Sequence, residues 1–253
     1  MLVSLLLLAV SALPDTEILR KAVERFAWSE AQKFERKYVW TGHSIEEELD
    51  ASGAVKSHHD TVFQIVPLAS GMRARRVIQR DGKAVFEQRE RKRPTPKGKR
   101  PPEEEEVLFS SAMVAKYNWR LLGTETIDGR PAYIFSFEPK SKDLPINRMT
   151  DRILNKLAGK IWFDEQEFEI VRADAHLTDQ ASLLGGLAGT MRRGDIFFEQ
   201  VRMEDGAWLT RKSDVHIEGR VLLKTMRMRA TEENTDFRKI TPELISTLAA
   251  KSP

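Results

Sequence analysis

Four carboxylates, Asp164, Glu165, Glu167 and Glu169, crowd the short segment DEQEFE. Clustered carboxylates suit general acid–base chemistry when burial lifts one of them enough to hold a proton near neutral pH. Here they fall on a turn between two strand-like runs, where acidic side chains are solvated, and nothing in the sequence buries one. Asp174 and His176 form a further acid–imidazole pair, but they alternate outward from an apolar row and no nucleophile accompanies them. The HHD run sets His58 and Asp60 on one face of a strand, two metal ligands without a third, and reads as a solvent-facing polar strand. The stretch GGLAGTM (185–191) has the glycines of a phosphate loop, yet no Lys follows the last glycine and its flanks are apolar. Neither a G-x-S-x-G elbow nor an H-E-x-x-H pair occurs. The sequence therefore points away from an enzyme, a bound metal and a cofactor.

Charge gives no stronger lead. The formal net charge is +3, from 41 Lys and Arg against 38 Asp and Glu, which is a mixed surface and no nucleic-acid footprint. The tract from Arg89 to Arg100 carries seven cations and one Glu before it meets Glu103–Glu106, and so largely neutralises itself. The N-terminal MLVSLLLLAVSALPD is too short to span a bilayer and reads as a signal peptide (1–12) with a small-residue cleavage site at Val10-Ser11-Ala12. The chain has no cysteine. It has neither a disulfide framework nor the residue through which bacterial lipoproteins are lipid-anchored, so the expectation is an exported, periplasmic, unanchored protein.

Residues 13–253 read as one domain. Ile18, Ala22, Val23, Phe26, Ala27 and Phe34 recur at helical spacing over 15–34, with Asp15 and Thr16 as candidate caps. Strands are expected near 38–49, 54–66, 72–80, 117–127, 131–138, 160–164, 168–177, 195–204, 207–218 and 221–231. They are separated by Ser52-Gly53, Asp81-Gly82, Asp128-Gly129, Asp205-Gly206 and Gly219. Consecutive hairpins of this kind form an antiparallel meander. Three interruptions are expected: a charged helical piece opening 84–116, with a solvated insertion at 89–106 and a short helix at 107–116; a helix over 146–158; and an apolar connection at 181–191, a candidate lip bearing Leu183 and Leu187.

The apolar residues pose the real question. Tyr133, Phe135 and Phe137 oppose Ala132 and Ile134 on one strand, so both faces of the sheet are greasy. In the run 170–177, Val171, Ala173, Ala175 and Leu177 point one way while Ile170, Arg172, Asp174 and His176 point the other. A sheet apolar on both faces is covered on both, or curls to enclose something. Filled core and open cavity are both consistent with this pattern.

The order of elements, together with Asp128-Gly129-Arg130, the run Gly159-Lys160-Ile161-Trp162-Phe163-Asp164 and Trp208-Leu209, resembles the outer-membrane lipoprotein-sorting, LolA-like family. Its relatives are the carriers LolA and LolB and the sensor domain of RseB. The resemblance covers most of the mature chain and is strongest from about 120 to 240. It implies an α+β fold, a half-open antiparallel β-barrel with a few helices lidding an apolar concave face. It further implies a non-catalytic carrier of lipid or lipoprotein acyl chains, with inner- and outer-membrane transport proteins as candidate partners. Tyr133, Phe135, Phe137, Val171, Ala173, Ala175, Leu177, Leu183 and Leu187 would then line the cavity or lid. The alternative is an RseB-like envelope sensor or interaction module whose barrel is a filled core. The insertion at 89–106 departs from the compact carrier fold, and no residue aligns with the carriers' gating arginine.

Overall fold

The computed structural model describes residues 13–67, 73–90, 109–146, 150–183, 189–221 and 224–244. Helix α1 (Asp15–Gln32) opens the described chain, and a single 3-10 turn (Phe34–Lys37) leads into β1 (Tyr38–Leu49), β2 (Val55–Pro67), β3 (Arg73–Arg80) and β4 (Lys83–Glu90). Then come α2 (Ser111–Val114), β5 (Tyr117–Ile127), β6 (Arg130–Pro139), α3 (Asp151–Leu154), β7 (Leu157–Asp164) and β8 (Ile170–Leu177). A short β9 (Ala181–Leu183) precedes the long strands β10 (Gly189–Arg202), β11 (Trp208–Val221) and β12 (Lys224–Lys239).

All twelve strands join one open, curved antiparallel sheet in the order β4-β3-β2-β1-β12-β11-β10-β8-β7-β6-β5, with β9 beside β10. The first and last strands therefore pair in the interior of the sheet, and its edges, β4 and β5, lie mid-chain. The hairpins form where the turn chemistry allows them. Asp81 and Asp128 take positive φ beside Gly82 and Gly129, the pair of left-handed residues that a two-residue turn needs.

Several expectations are corrected. The piece opening 84–116 is β4 and not helical: the Asp81-Gly82 turn folds it back so that Glu87 pairs with Val77. The helix expected over 146–158 shrinks to Asp151–Leu154, because Leu157 and Ala158 pair with Leu177 and His176 in the sheet. Helix α1 starts after Pro14 without a side-chain cap. Gly219 marks no turn: it lies inside β11, where a Cβ would stand 2.4 Å from the Thr190 carbonyl oxygen. Gly159 similarly admits close approach, since a Cβ there would stand 2.0 Å from the Asp174 carbonyl oxygen.

The largest core cluster lies on one face, here the inner face, beneath the helices. Ile18, Leu19 and Ala22 of α1 meet Phe109, Phe135, Phe163 and their neighbours there. Phe163 packs against Phe109 and Phe135 with ring centroids 5.5 and 5.8 Å apart. Burial of each such ring contributes about 2–3 kcal/mol, which is what holds α1 on the sheet. A smaller cluster of Ile127, Ala132, Ile134, Trp162, Val171 and Trp208 lies on the outer face.

Candidate functional site

The strand registers trace the inner face residue by residue. Leu121, Phe135, Ile161, Ala173 and Phe198 stand opposite one another across β5, β6, β7, β8 and β10, and all belong to the helix-covered cluster. The same row continues through Ser213, Glu232, Ser44 and Thr61, and so turns polar at β11. One step along the strands, a second row stays apolar further. It runs through Phe137, Gly159, Ala175, Ile196, Val215 and Ala230 before reaching Glu46. A third row pairs Gly194, Ile217 and Met228 before reaching Glu48.

Ile196, Val215, Ile217, Met226, Met228 and Ala230 thus form an apolar strip that extends the core across β10–β12. None of the six belongs to a buried cluster among the described residues. Ile196 is 36% exposed and the other five are half-buried. The outer face of the same strands carries Asp195, Asp214, His216, Glu218, Arg227 and Arg229. There Arg193 lies 2.6 Å from Asp195, and Arg227 lies 3.5 Å from Glu218. One face is thus greasy and the other a charged lattice. Met226 and Met228 also line a depression of about 430 Å³ with Glu46, Glu48 and His59. Unbranched methionines are adaptable walls for a chain of variable shape.

The residues named from sequence divide. Tyr133, Phe135 and Phe137 project into the inner cluster, with Ala132 and Ile134 on the outer face, as their alternation predicts. Ala173, Ala175 and Leu177 join the inner cluster too, but Val171 does not. A bulge shifts the β7–β8 register between Trp162 and Phe163, so Val171 turns outward against Trp162 and Trp208, while Ile170 turns inward beside Phe163. Leu183 ends β9 with its side chain outside the described residues, and Leu187 lies outside them altogether. Sequence reasoning missed Ile196, Val215, Ile217, Met226, Met228 and Ala230 as a set. Their alternation was visible, but only the register between strands shows that they continue the row from Ala175.

The carboxylate turn also differs from expectation, for Asp164 and Glu169 are 0% and 3% exposed. The Asp164 carboxylate accepts hydrogen bonds from the Gln166 and Glu167 amides, which tightens the turn, and takes the Arg130 guanidinium in a fork at 2.7 and 2.8 Å. Glu169 accepts from Arg25 of α1 at 2.7 Å, while Glu167 accepts from Arg202 at 2.7 Å and from the Trp208 indole at 2.8 Å. Burial raises the Glu169 carboxyl above the ordinary range, outweighing the opposing effect of Arg25. The turn is buried because α1 and the β10–β11 turn close over it, contacts that no local pattern announces.

The other sequence candidates are surface pairs. His58 Nδ1 lies 3.3 Å from Glu47, His43 Nε2 lies 3.0 Å from Asp60, and Asp174 and His176 are exposed. Among the described residues no group of three or more His, Cys, Asp or Glu could hold a metal ion, and no helix is long and apolar enough to cross a membrane.

No protein-family model matches the sequence, and no curated protein matches it. Solved structures similar to this chain include an outer-membrane lipoprotein-sorting protein domain from Vibrio parahaemolyticus, at 10% identity and a TM-score of 0.36 over 92% of this chain and 100% of that one. A LolA superfamily protein from Nitrosomonas europaea is 13% identical, with a TM-score of 0.31 over 92% and 97% of the two chains. The MucA/MucB complex of Pseudomonas aeruginosa gives 12% identity and a TM-score of 0.26 over 89% and 99%.

Proposed function

We propose that the protein is an exported, non-catalytic periplasmic carrier that receives acyl chains of lipids or lipoproteins on its inner face, in envelope lipoprotein or lipid transport. The single observation behind this reading is the strip from Ile196 to Ala230, an apolar extension of the core that the buried clusters leave unabsorbed. An acyl chain of about 16 carbons gains roughly 12 kcal/mol on leaving water, at about 0.8 kcal/mol per CH₂. A membrane offers the same gain. The strip therefore has only to match the bilayer, and transfer is governed by opening and handover more than by affinity. Leu183 and Leu187 are assigned to the lip of the groove, and inner- and outer-membrane transport proteins are the partners this role requires.

A second reading has its own support. Ile18, Leu19 and Ala22 of α1 pack against Phe109, Phe135 and Phe163 in one buried cluster, as expected of a sensor or interaction module with a closed core. Native mass spectrometry of protein recovered gently from a periplasm, followed by titration with a fluorescent fatty acid and a lipidated peptide, separates the two. A lipid-mass adduct, or saturable binding that Val215→Asp abolishes, supports the carrier. No adduct and no binding of either probe sinks it in favour of the filled-core module.

A further inference from the structure

The far end of α1 carries a constellation that the groove does not explain. Trp28 is 44% exposed, although it is the largest side chain type available to a core. Its ring lies 5.3 Å from that of Phe34 across the end of the helix. The Arg25 guanidinium covers Trp28 at 4.4 Å, and the Lys37 ammonium covers Phe34 at 4.7 Å. Arg25 is itself anchored on Glu169 and on the Gly206 carbonyl, so this stack of four side chains is fixed to the sheet. Beside it in sequence stand Lys33 and Arg36, exposed like Lys37. None of these three makes an ion pair with a described residue. The turn is held to the sheet by the β1–β12 pairing, which bonds the Ile240 amide to the Lys37 carbonyl at 2.8 Å. Within Lys33–Lys37 three cations stand against one carboxylate, and Arg73 engages that one, Glu35, at 3.3 Å.

Exposed Trp beside Phe, ringed by Lys and Arg, has the chemistry of a membrane–water interface. The aromatic faces suit the headgroup level, and the cations suit anionic lipid phosphates. The bland account is that basic residues complement the negative end of the α1 dipole. It covers Lys33 but not the exposed Trp28. Position adds a further argument. Lys33, Phe34 and Arg36 also line the cavity of about 330 Å³ that runs under α1 to Glu169, Gln200 and Trp208.

We infer that the C-terminal end of α1 and the adjoining 3-10 turn form a docking surface for anionic lipid bilayers, with Trp28 and Phe34 seated among the headgroups and Lys33, Arg36 and Lys37 on the phosphates. The inference deepens the carrier reading, on which its biological sense rests, by naming the surface from which or to which acyl chains pass.

The test is flotation of the full chain with vesicles of phosphatidylcholine, with and without phosphatidylglycerol. The readout is the difference between the two vesicle types. The expected result is stronger binding to the anionic vesicles that fades with added salt. A Lys33→Gln, Arg36→Gln, Lys37→Gln variant should lose on the order of a hundredfold in that affinity, since each surface cation contributes about fivefold. Brominated lipids should quench wild-type tryptophan emission more than that of Trp28→Phe. Equal binding to both vesicle types, equal binding by the triple variant, or identical quenching of Trp28→Phe overturns the inference. Fatty-acid titration without vesicles keeps the two readings apart. Docking without acyl binding sinks the carrier and leaves the docking surface; acyl binding without docking does the reverse.

Discussion

Arg25 Nε stands 2.7 Å from Glu169 Oε2, and the same guanidinium donates to the Gly206 carbonyl at 3.1 Å. One residue of α1 thus ties the helix to both the β7–β8 and the β10–β11 turns. Arg25→Leu leaves Glu169 buried without its counter-charge and is expected to destabilise the fold by about 3 kcal/mol. Urea denaturation of the two proteins measures this; a loss below about 1 kcal/mol would mean that the helix is held by its apolar face alone.

Glu169 and Asp205 have opposite signatures against pH. Burial raises Glu169 above its ordinary 4.5, so the folded state holds the proton more tightly than the unfolded chain. The stability that this group adds is present below pH 4.5 and lost as pH rises through the folded value. Wild type should therefore lose ground against Glu169→Gln on titration upward from there. Asp205 is pulled down from 3.8 to about 2 by hydrogen bonds from Lys239 and Tyr38. Its contribution is present above pH 3.8 and lost as pH falls to about 2, so the gap between wild type and Asp205→Asn should close over that window. Melting curves across acid pH decide both signs.

Asp164 is wholly buried and held by Arg130 in a two-point fork. Arg130→Ala should cost about 3–5 kcal/mol, because the carboxylate then lacks its partner in a low-dielectric site. Replacing both residues at once should cost less than the sum of the single changes, a coupling that a double-mutant cycle reads directly.

Val215→Asp and Met228→Asp each place a charge on the half-buried strip, at positions outside the described core clusters. The folded state should survive, with an unchanged circular dichroism spectrum, while fatty-acid affinity falls by more than about tenfold. Leu183→Asp with Leu187→Asp should slow loading more than it weakens equilibrium binding, as expected of a lip. Stopped-flow titration separates the two effects.

At Gly159 even a methyl group fails to fit, because the Cβ would stand 2.0 Å from the Asp174 carbonyl oxygen. Gly159→Ala should lose about 2 kcal/mol or more through forced separation of β7 from β8. Because Ala175 stands directly opposite, the same change should disturb acyl binding.

The strands were legible because each carries its own period and its own turn residues. Asp128-Gly129 announces the β5–β6 hairpin, and the Tyr133, Phe135, Phe137 alternation announces which face is buried. What escaped was non-local. Nothing within residues 170–177 shows that Val171 is bulged outward, since the bulge is set by pairing with Trp162 and Phe163. The burial of Glu169 depends on Arg25, 144 positions away. The strip from Ile196 to Ala230 has the alternation of any half-buried sheet, and becomes a candidate site only when the register aligns it with Ala175.

The placement of β12 beside β1 also governs assembly. Every other neighbouring pair in the sheet joins strands close in sequence, whereas Tyr38 meets Lys239 only after the chain has closed a loop of nearly its whole length. That closure is entropically the most demanding step, so it is expected last, after two separately zippered ribbons have formed. The polar rim of Glu46 and Glu48 belongs to one ribbon and the apolar strip to the other. Strip and rim therefore meet only at the final seam, and a nascent chain exposes a greasy half-sheet until that moment, the stage at which it most depends on a chaperone.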